Sequence, residues 1–462
     1  MRRTTCLLLA VLSAGAAAES ALRPRYGGVL RVQVRGTLQS LDPGDTPDQA
    51  PGAGIHAKVA AAVFETLVRL DGEGRPQPGL ASSWEPDAPR NRWRFVLREG
   101  VRFHDGSPLT AESAAASLAA RNPQWQVKPE GKEIVIRTDG PSPQLPEELS
   151  LARNAILLRE ATGKLLGTGP FVLSGWQAGR SIVLSANEDY WGGRPFLDGV
   201  EIELGHASRE RLLGLELERS DLIDLGPDEV RRAAERQAEF WTSSPVELVA
   251  LVFEPARPAV EDPRVREAIA LSIDRAAMHA VLLQKQGESA GSLLPQWMTG
   301  YAFLFPPARD LARSRELVSA LPAKARELTL GCAGCDPLAS SIAERVALNA
   351  KEAGLLVRVA VRAGPADLRL VRLRVPSPIP SIALSRLIES LRCPEVLPAL
   401  GVAGLESVHS VEAALLKDLR VIPLFHLPEL YASARRVQRH PVPLGPEGGW
   451  RLEDLWLSGE GR

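Results

Sequence analysis

Apolar residues along this chain recur at two spacings, and the spacing switches repeatedly. Leu30, Val32 and Val34 fall on alternate positions behind Gly27-Gly28, and Trp93, Phe95 and Leu97 alternate with Arg94, Val96 and Arg98. A period of two places these side chains on one face of a strand, with the other face left to water. Past the turn at Leu41-Asp42-Pro43, the stretch Val59 to Leu70 carries Val63, Leu67 and Leu70 at helical spacing, which predicts a helix there. Pro170-Phe171-Val172-Leu173 and Ser181-Ile182-Val183-Leu184 read as paired strands about the turn Ala178-Gly179-Arg180. Asp262-Pro263 supplies a capping acid and a first-turn proline, and Val265, Ile269 and Ile273 then recur every four residues in the clearest helix of the chain. Leu328-Thr329-Leu330, a helix over Ala339 to Ala353 and the run Leu356 to Val361 form a strand, helix, strand unit, which belongs in a parallel sheet. Strands and helices interleave from the start, so the class is α/β with mixed sheets.

The beginning of the chain changes the picture of where it works. Met1, Arg2 and Arg3 precede the apolar run Cys6 to Leu12, and Ala16-Ala17-Ala18 then stand before Glu19. This is the layout of a secretory signal peptide over residues 1–18. The run is too short to span a bilayer, which takes roughly 20 residues. Cys6 lies too early to carry an anchoring lipid, so a free periplasmic protein is expected. With 462 residues the chain is long enough for two or three domains. Losing the leader would move the formal charge from -1 to -3. Basic and acidic residues alternate instead of clustering, which argues against a nucleic-acid surface. Cys332, Cys335 and Cys393 would remain, too few to staple so long a chain, and the fold must rest on apolar burial.

Three longer blocks carry a resemblance. They are Pro78-Gly79-Leu80-Ala81-Ser82-Ser83-Trp84-Glu85 with Trp93 to Glu112; Gly167-Thr168-Gly169-Pro170-Phe171 through Trp176 to Asn187-Glu188-Asp189-Tyr190-Trp191-Gly192-Gly193-Arg194-Pro195; and Asp262-Pro263-Arg264-Val265-Arg266-Glu267-Ala268-Ile269-Ala270 with Ile273-Asp274-Arg275. Together with the ending Val421-Ile422-Pro423-Leu424-Phe425-His426, and in this order, they resemble the bacterial family 5 extracellular solute-binding proteins, receptors for oligopeptides, dipeptides and nickel complexes. The resemblance implies a type II periplasmic-binding-protein fold: two lobes, two crossing hinge strands and a ligand held between. By analogy, residues 19–248 form lobe I with a reduced inserted subdomain at about 45–165, residues 249–420 form lobe II, and 421–462 return to lobe I. Glu247 to Phe253 and Ile422 to His426 would be the crossing segments. The implied partners are a small polar solute, an oligopeptide among the options, and the membrane permease of an ABC importer. A monomer without cofactor or metal is expected.

The chain departs from the family pattern after Ser117, where lobe I is trimmed, and at Leu373-Arg374-Val375-Pro376-Ser377-Pro378, where relatives carry tryptophan and then acids. Counting back without gaps from Arg264-Val265-Arg266, the crossing-strand asparagine of the family falls on Glu254. The ligand-contacting candidates are therefore Phe253, Glu254 and Arg374, with Gln39 and Phe64 from the first lobe. Glu254 and Arg374 would favour a ligand with opposite charges at its two ends. A degenerate member serving as a sensor or assembly partner is the rival reading, motivated by the trimmed lobes.

Other motifs weigh less. Gly287-Glu288-Ser289-Ala290-Gly291 matches a Gly-x-Ser-x-Gly elbow, but a helix precedes it and Ser292-Leu293-Leu294-Pro295 follows, so the strand, turn and helix that expose such a serine are missing. Cys332-Ala333-Gly334-Cys335 stands between a strand and a helix start, where a redox pair would sit. The family context favours a plain disulfide or two quiet thiols, away from the hinge and dispensable for binding. A secreted enzyme built on Ser289 or these cysteines ranks last. The histidines, from His56 and His104 to His426 and His440, show no ligand spacing. Trp84, Trp176 and Trp191 are expected in cores.

Overall fold

A computed structural model describes residues 24–45, 52–87, 90–235, 238–255, 257–301, 303–306, 308–392, 405–439 and 451–459. The leader, Cys393 and His440 lie outside the described residues.

The architecture is organised by two long strands, Glu239–Phe253 and Val421–Ser433, which pair antiparallel with each other. At roughly 3.3 Å per residue each reaches across about 40 to 50 Å. They sit in the middle of one mixed sheet. On one side the sheet continues through Leu222–Leu225, Val29–Gln33, Gly199–Glu203, Ser181–Ala186 and Phe171–Gln177. On the other it continues through Leu368–Arg374, Glu327–Gly331 and Leu356–Ala360. Each half has its own core, one gathering Leu30, Val32, Phe171 and Val200, the other Leu251, Ile269, Ile342 and Leu384. The molecule is thus two-lobed.

The lobes meet where the strands change neighbours. Leu430–Ser433 pair with the first-lobe strand Leu222–Leu225, whereas Glu247–Phe253 pair with the second-lobe strand Leu368–Arg374. Between these stretches Pro245 faces Pro428, and the register shifts on both sides of Pro245. Proline has no N–H to give the ladder, so two facing prolines interrupt it and leave a natural place to flex. The segments expected to cross, Glu247 to Phe253 and Ile422 to His426, lie on the second-lobe side of this break.

Most elements read from periodicity recur. Val29–Gln33 and Arg92–Leu97 are strands with Leu30, Val32, Trp93, Phe95 and Leu97 buried. Asp262 caps the helix Pro263–Ser272 by accepting from the Arg264 N–H. Glu327–Gly331 and Leu356–Ala360 run parallel beside the helix Pro337–Glu352. The helix expected over Val59 to Leu70 is a correction: it spans Ala53–Val63, and Val68–Leu70 is a strand paired with Pro76–Pro78. The cause is Glu65, buried two residues past the helix. Its carboxylate accepts hydrogen bonds from Thr168, Tyr190 and Trp191, and its backbone bridges to Ile156, which holds the chain extended. Within the first lobe, Ala81–Asp87, Arg92–Leu97, Glu133–Arg137 and Gln126–Glu130 form a separate antiparallel sheet, with the helix Ala111–Arg121 beside it and a core of its own.

Candidate functional site

A cavity lies against the neighbour change. It is bounded by Arg35 and Asp224, by the start of the helix Ala53–Val63, by Glu247 and Arg372, and by Arg374, Glu429 and Tyr431. Its free space is small, about 50 Å³ for the centres of water molecules. That holds a few waters.

Charge lines it. Glu429, on the return strand just past Pro428, accepts from Lys58 of the first lobe at 2.9 Å and pairs with Arg374 of the second. Lys58 also lies 5.5 Å from the ring centre of Tyr431. Burial by itself would raise the Glu429 carboxyl, but the charges of Arg374 and Lys58 outweigh it and hold the group at about 2. Gly54 shows how closely the backbone approaches: a Cβ there would stand 2.4 Å from Glu429 Oε1 and 3.6 Å from Arg374 Nη1. Only glycine leaves that room.

The other side of the cavity is a second network. Arg35 follows the first strand and reaches Asp224 at 2.9 Å, while its own N–H donates to the same carboxylate. Arg211, almost wholly buried, bonds Asp224 at 3.0 Å and Glu229 at 2.8 Å. Facing them from the second lobe, Arg372 donates to Glu247 at 3.0 Å and pairs with Asp336, the cap of the helix Pro337–Glu352. Burial works against the Arg372 charge, yet Glu247 and Asp336 keep its pKa above the ordinary value. Arg35 likewise stays raised against burial, chiefly through Asp224, with Arg372 and Asp336 near enough to act on it across the lobes.

Outside the cavity the lobes also touch. Ser381 donates to Gln144 at 3.0 Å and Arg386 pairs with Glu148, joining the helix Pro380–Leu391 to the first lobe. Elsewhere Gln284 donates to the Asp228 carbonyl at 3.1 Å.

Of the five residues expected to contact ligand, Arg374 lines the cavity. Phe253 is buried in the second-lobe core. Glu254 follows it, seven positions beyond Glu247, where its N–H bonds the Asp367 carbonyl and its carboxylate pairs with Arg369. The gapless count placed it on the crossing, whereas the strand continues well past Pro245 into the second lobe. Phe64 is buried in the first-lobe core, and Gln39 is exposed beside the turn at Gly179. Arg35, Lys58, Asp224, Glu247, Arg372 and Glu429 were missed. Glu429 did leave a signal: it is a lone acid in the apolar run Val421 to Ala432, and a buried charge demands a partner.

The remaining motifs have structural settings. Ser289 lies in a two-residue strand opposite Phe425, with no helix until Gln296–Thr299, so no nucleophile elbow forms. Cys332 and Cys335 are joined in a disulfide. His104 bonds the Gly169 carbonyl at 3.1 Å, and Trp84, Trp176 and Trp191 pack against cores. Among the described residues no group of three or more metal-ligating side chains occurs, and no helix is long and apolar enough to cross a membrane.

Known proteins agree with this architecture. The chain is 38% identical over 162 residues to the uncharacterized protein YhjP of Bacillus subtilis, covering 32% of this chain and 28% of that one. It is 25% identical over 354 residues to the probable D,D-dipeptide-binding periplasmic protein DdpA of Escherichia coli, covering 70% and 68%. It spans about two thirds or less of the curated relatives' length in these alignments. The periplasmic binding protein DppA of Helicobacter pylori, solved with the peptide STSA, superposes with a TM-score of 0.80 at 18% identity, over 94% of this chain and 99% of that one. Residues 75–372 match the model of the bacterial extracellular solute-binding proteins, family 5, and the chain belongs to that family.

Proposed function

We propose that this protein is the extracytoplasmic receptor of an ABC-type importer, and that it takes a small solute bearing charges of both signs into the cavity between its lobes. The observation that carries this reading is the cavity itself, lined by Arg374 and by Glu429, which Lys58 pairs from behind, on one side, and by Arg35, Asp224, Glu247 and Arg372 on the other. A solute of one sign would displace one member of a buried pair and strand the other, a loss of about 3 to 5 kcal/mol. A zwitterion, such as a short peptide, replaces both at once. The free space is far below the roughly 300 Å³ or more of ordinary ligand sites, so entry requires the lobes to part at Pro245 and Pro428. Such hinge motion is the usual action of two-lobed receptors. The periplasmic relatives and the leader-like residues 1–18 support export, and the permease of the importer is the partner this reading assigns.

One observation favours the rival, a family member that serves as a sensor or assembly partner: the lining charges already satisfy one another in a closed cavity. Protein purified from the periplasm, denatured and analysed by mass spectrometry separates the two. A stoichiometric zwitterionic molecule is expected. Its absence, together with no stabilisation by any di- or tripeptide in a thermal-shift panel, would leave the rival standing.

A further inference from the structure

The cysteine pair lies one residue from the cavity's charge network. Cys332 follows the strand Glu327–Gly331, is buried, and donates its N–H to the Ala360 carbonyl at 2.9 Å. Cys335 is part-exposed, and its N–H returns to the Cys332 carbonyl at 3.3 Å. The bond between them closes a four-residue loop with Gly334 at φ +71°. The next residue is Asp336. One of its oxygens accepts from the Ala339 N–H at 2.8 Å and caps the helix, and the other pairs with Arg372. Asp336 and Arg372 are nearly inaccessible, with side chains 9% and 6% exposed. Arg372 lines the cavity, and Asp336 stands behind it.

A short loop containing glycine has many conformations when its ends are free, and a cross-link removes most of them. The carboxylate that follows must meet a helix N–H and a guanidinium together, so its placement depends on how the loop is held. We propose that Asp336 is a positioning residue for Arg372, and that the Cys332–Cys335 disulfide fixes the loop that presents it, so that solute affinity depends on the oxidation state of the pair. The proposal rests on the cavity being the solute site, and it reverses the expectation that the pair is dispensable for binding.

Reduction needs two electrons and two protons, which a dithiol supplies. Its thiolate attacks Sγ of the more accessible Cys335, forming a mixed disulfide and releasing Cys332 as a thiolate that takes up a proton. The second thiol of the reductant then closes its own disulfide and releases Cys335 as a thiol. Hydrogen exchange of the Ala339 amide, and calorimetry with L-alanyl-L-alanine, would be compared in oxidised protein, in protein reduced with dithiothreitol and blocked with iodoacetamide, and in the Cys332→Ser/Cys335→Ser variant. Expected are faster exchange at Ala339 and a loss of affinity of about tenfold or more in both broken-loop forms, the scale of a lost hydrogen bond to a charged group. In Asp336→Asn the affinity should be low at the outset and indifferent to reduction, which a purely structural disulfide would not produce. Equal exchange and equal affinity in both redox states would overturn the proposal. If this dipeptide binds no form, the co-purified solute or a peptide from the thermal-shift panel replaces it; if none of these binds, the zwitterion reading of the cavity fails, and the exchange comparison alone decides whether the disulfide positions Asp336.

Discussion

Replacing Glu429 by Gln tests the centre of the cavity, because the change keeps the shape of the side chain and removes its charge. In the folded protein the carboxyl is held at about 2, against an ordinary value of 4.5. A difference of that size corresponds to about 3 kcal/mol at about 1.4 kcal/mol for each pH unit. The independent expectation for removing one member of a buried ion pair is about 3 to 5 kcal/mol, so the two routes agree. The sign follows from linkage. A carboxyl whose folded pKa is depressed stabilises fully above its unfolded value, and that stabilisation drains away as pH falls from about 4.5 through about 2. Urea unfolding of both proteins between pH 7 and pH 2 is the assay. At neutral pH the variant should be less stable by about 3 kcal/mol, and the gap should narrow towards zero across the acid window. The other depressed carboxyls, Asp336 and Glu229 among them, titrate in both proteins and cancel in the difference. A gap that stays constant from pH 6 to pH 2 would refute the reasoning, since a shape effect does not titrate.

Three further changes probe the surroundings. Arg386→Ala removes the contact to Glu148 across the lobes; it should cost about 1 kcal/mol of closure and raise the radius of gyration in small-angle scattering, while an unchanged radius would show that the contact does not hold the lobes. Glu254→Gln should leave solute affinity unaltered and lower stability by less than about 1 kcal/mol, because Glu254 and Arg369 form a part-exposed pair remote from the cavity; a drop in calorimetric affinity would contradict that placement. Gly54→Ala drives a Cβ towards Glu429 Oε1 and should cost about 1 to 3 kcal/mol. In a double-mutant cycle with Glu429→Ala that cost should shrink, and simple additivity would exclude the close approach as its cause.

The fold was legible where burial is one-sided and local. Trp93, Phe95 and Leu97 alternate because one sheet face is covered, and Asp262-Pro263 marks a helix start because both residues satisfy conditions set within one turn. The helix read through Leu70 failed because its end is fixed by Glu65, whose partners Thr168, Tyr190 and Trp191 arrive from about a hundred residues away. The cavity was harder for the same reason. Arg35 and Asp224, or Lys58 and Glu429, are neighbours only after the sheet has assembled. Two local signals were nonetheless present. Pro245 and Pro428 sit inside strands, where proline is tolerated mainly at interruptions, and Lys58 and Glu429 are solitary charges in apolar surroundings.

The choice of charges for this cavity bears on how the lobes work. If holding them shut were the only requirement, apolar side chains would serve better, since a buried ion pair often adds little or nothing over a packed hydrophobic substitute. Leucine or phenylalanine at positions 374 and 429 would make separation expose apolar surface at about 25 cal/mol for each Å². With Arg374 and Glu429 there instead, parting the lobes returns two ions to water, and their hydration offsets much of the attraction that is lost. The open and closed states are thereby brought closer in free energy. A solute can shift such a balance only through a difference in its affinity for the two states, and the smaller the gap, the less affinity the shift requires. On the proposed reading the same charges would supply the difference, because a zwitterion would meet Glu429 and Arg374 together only with both lobes brought around it at Pro245 and Pro428.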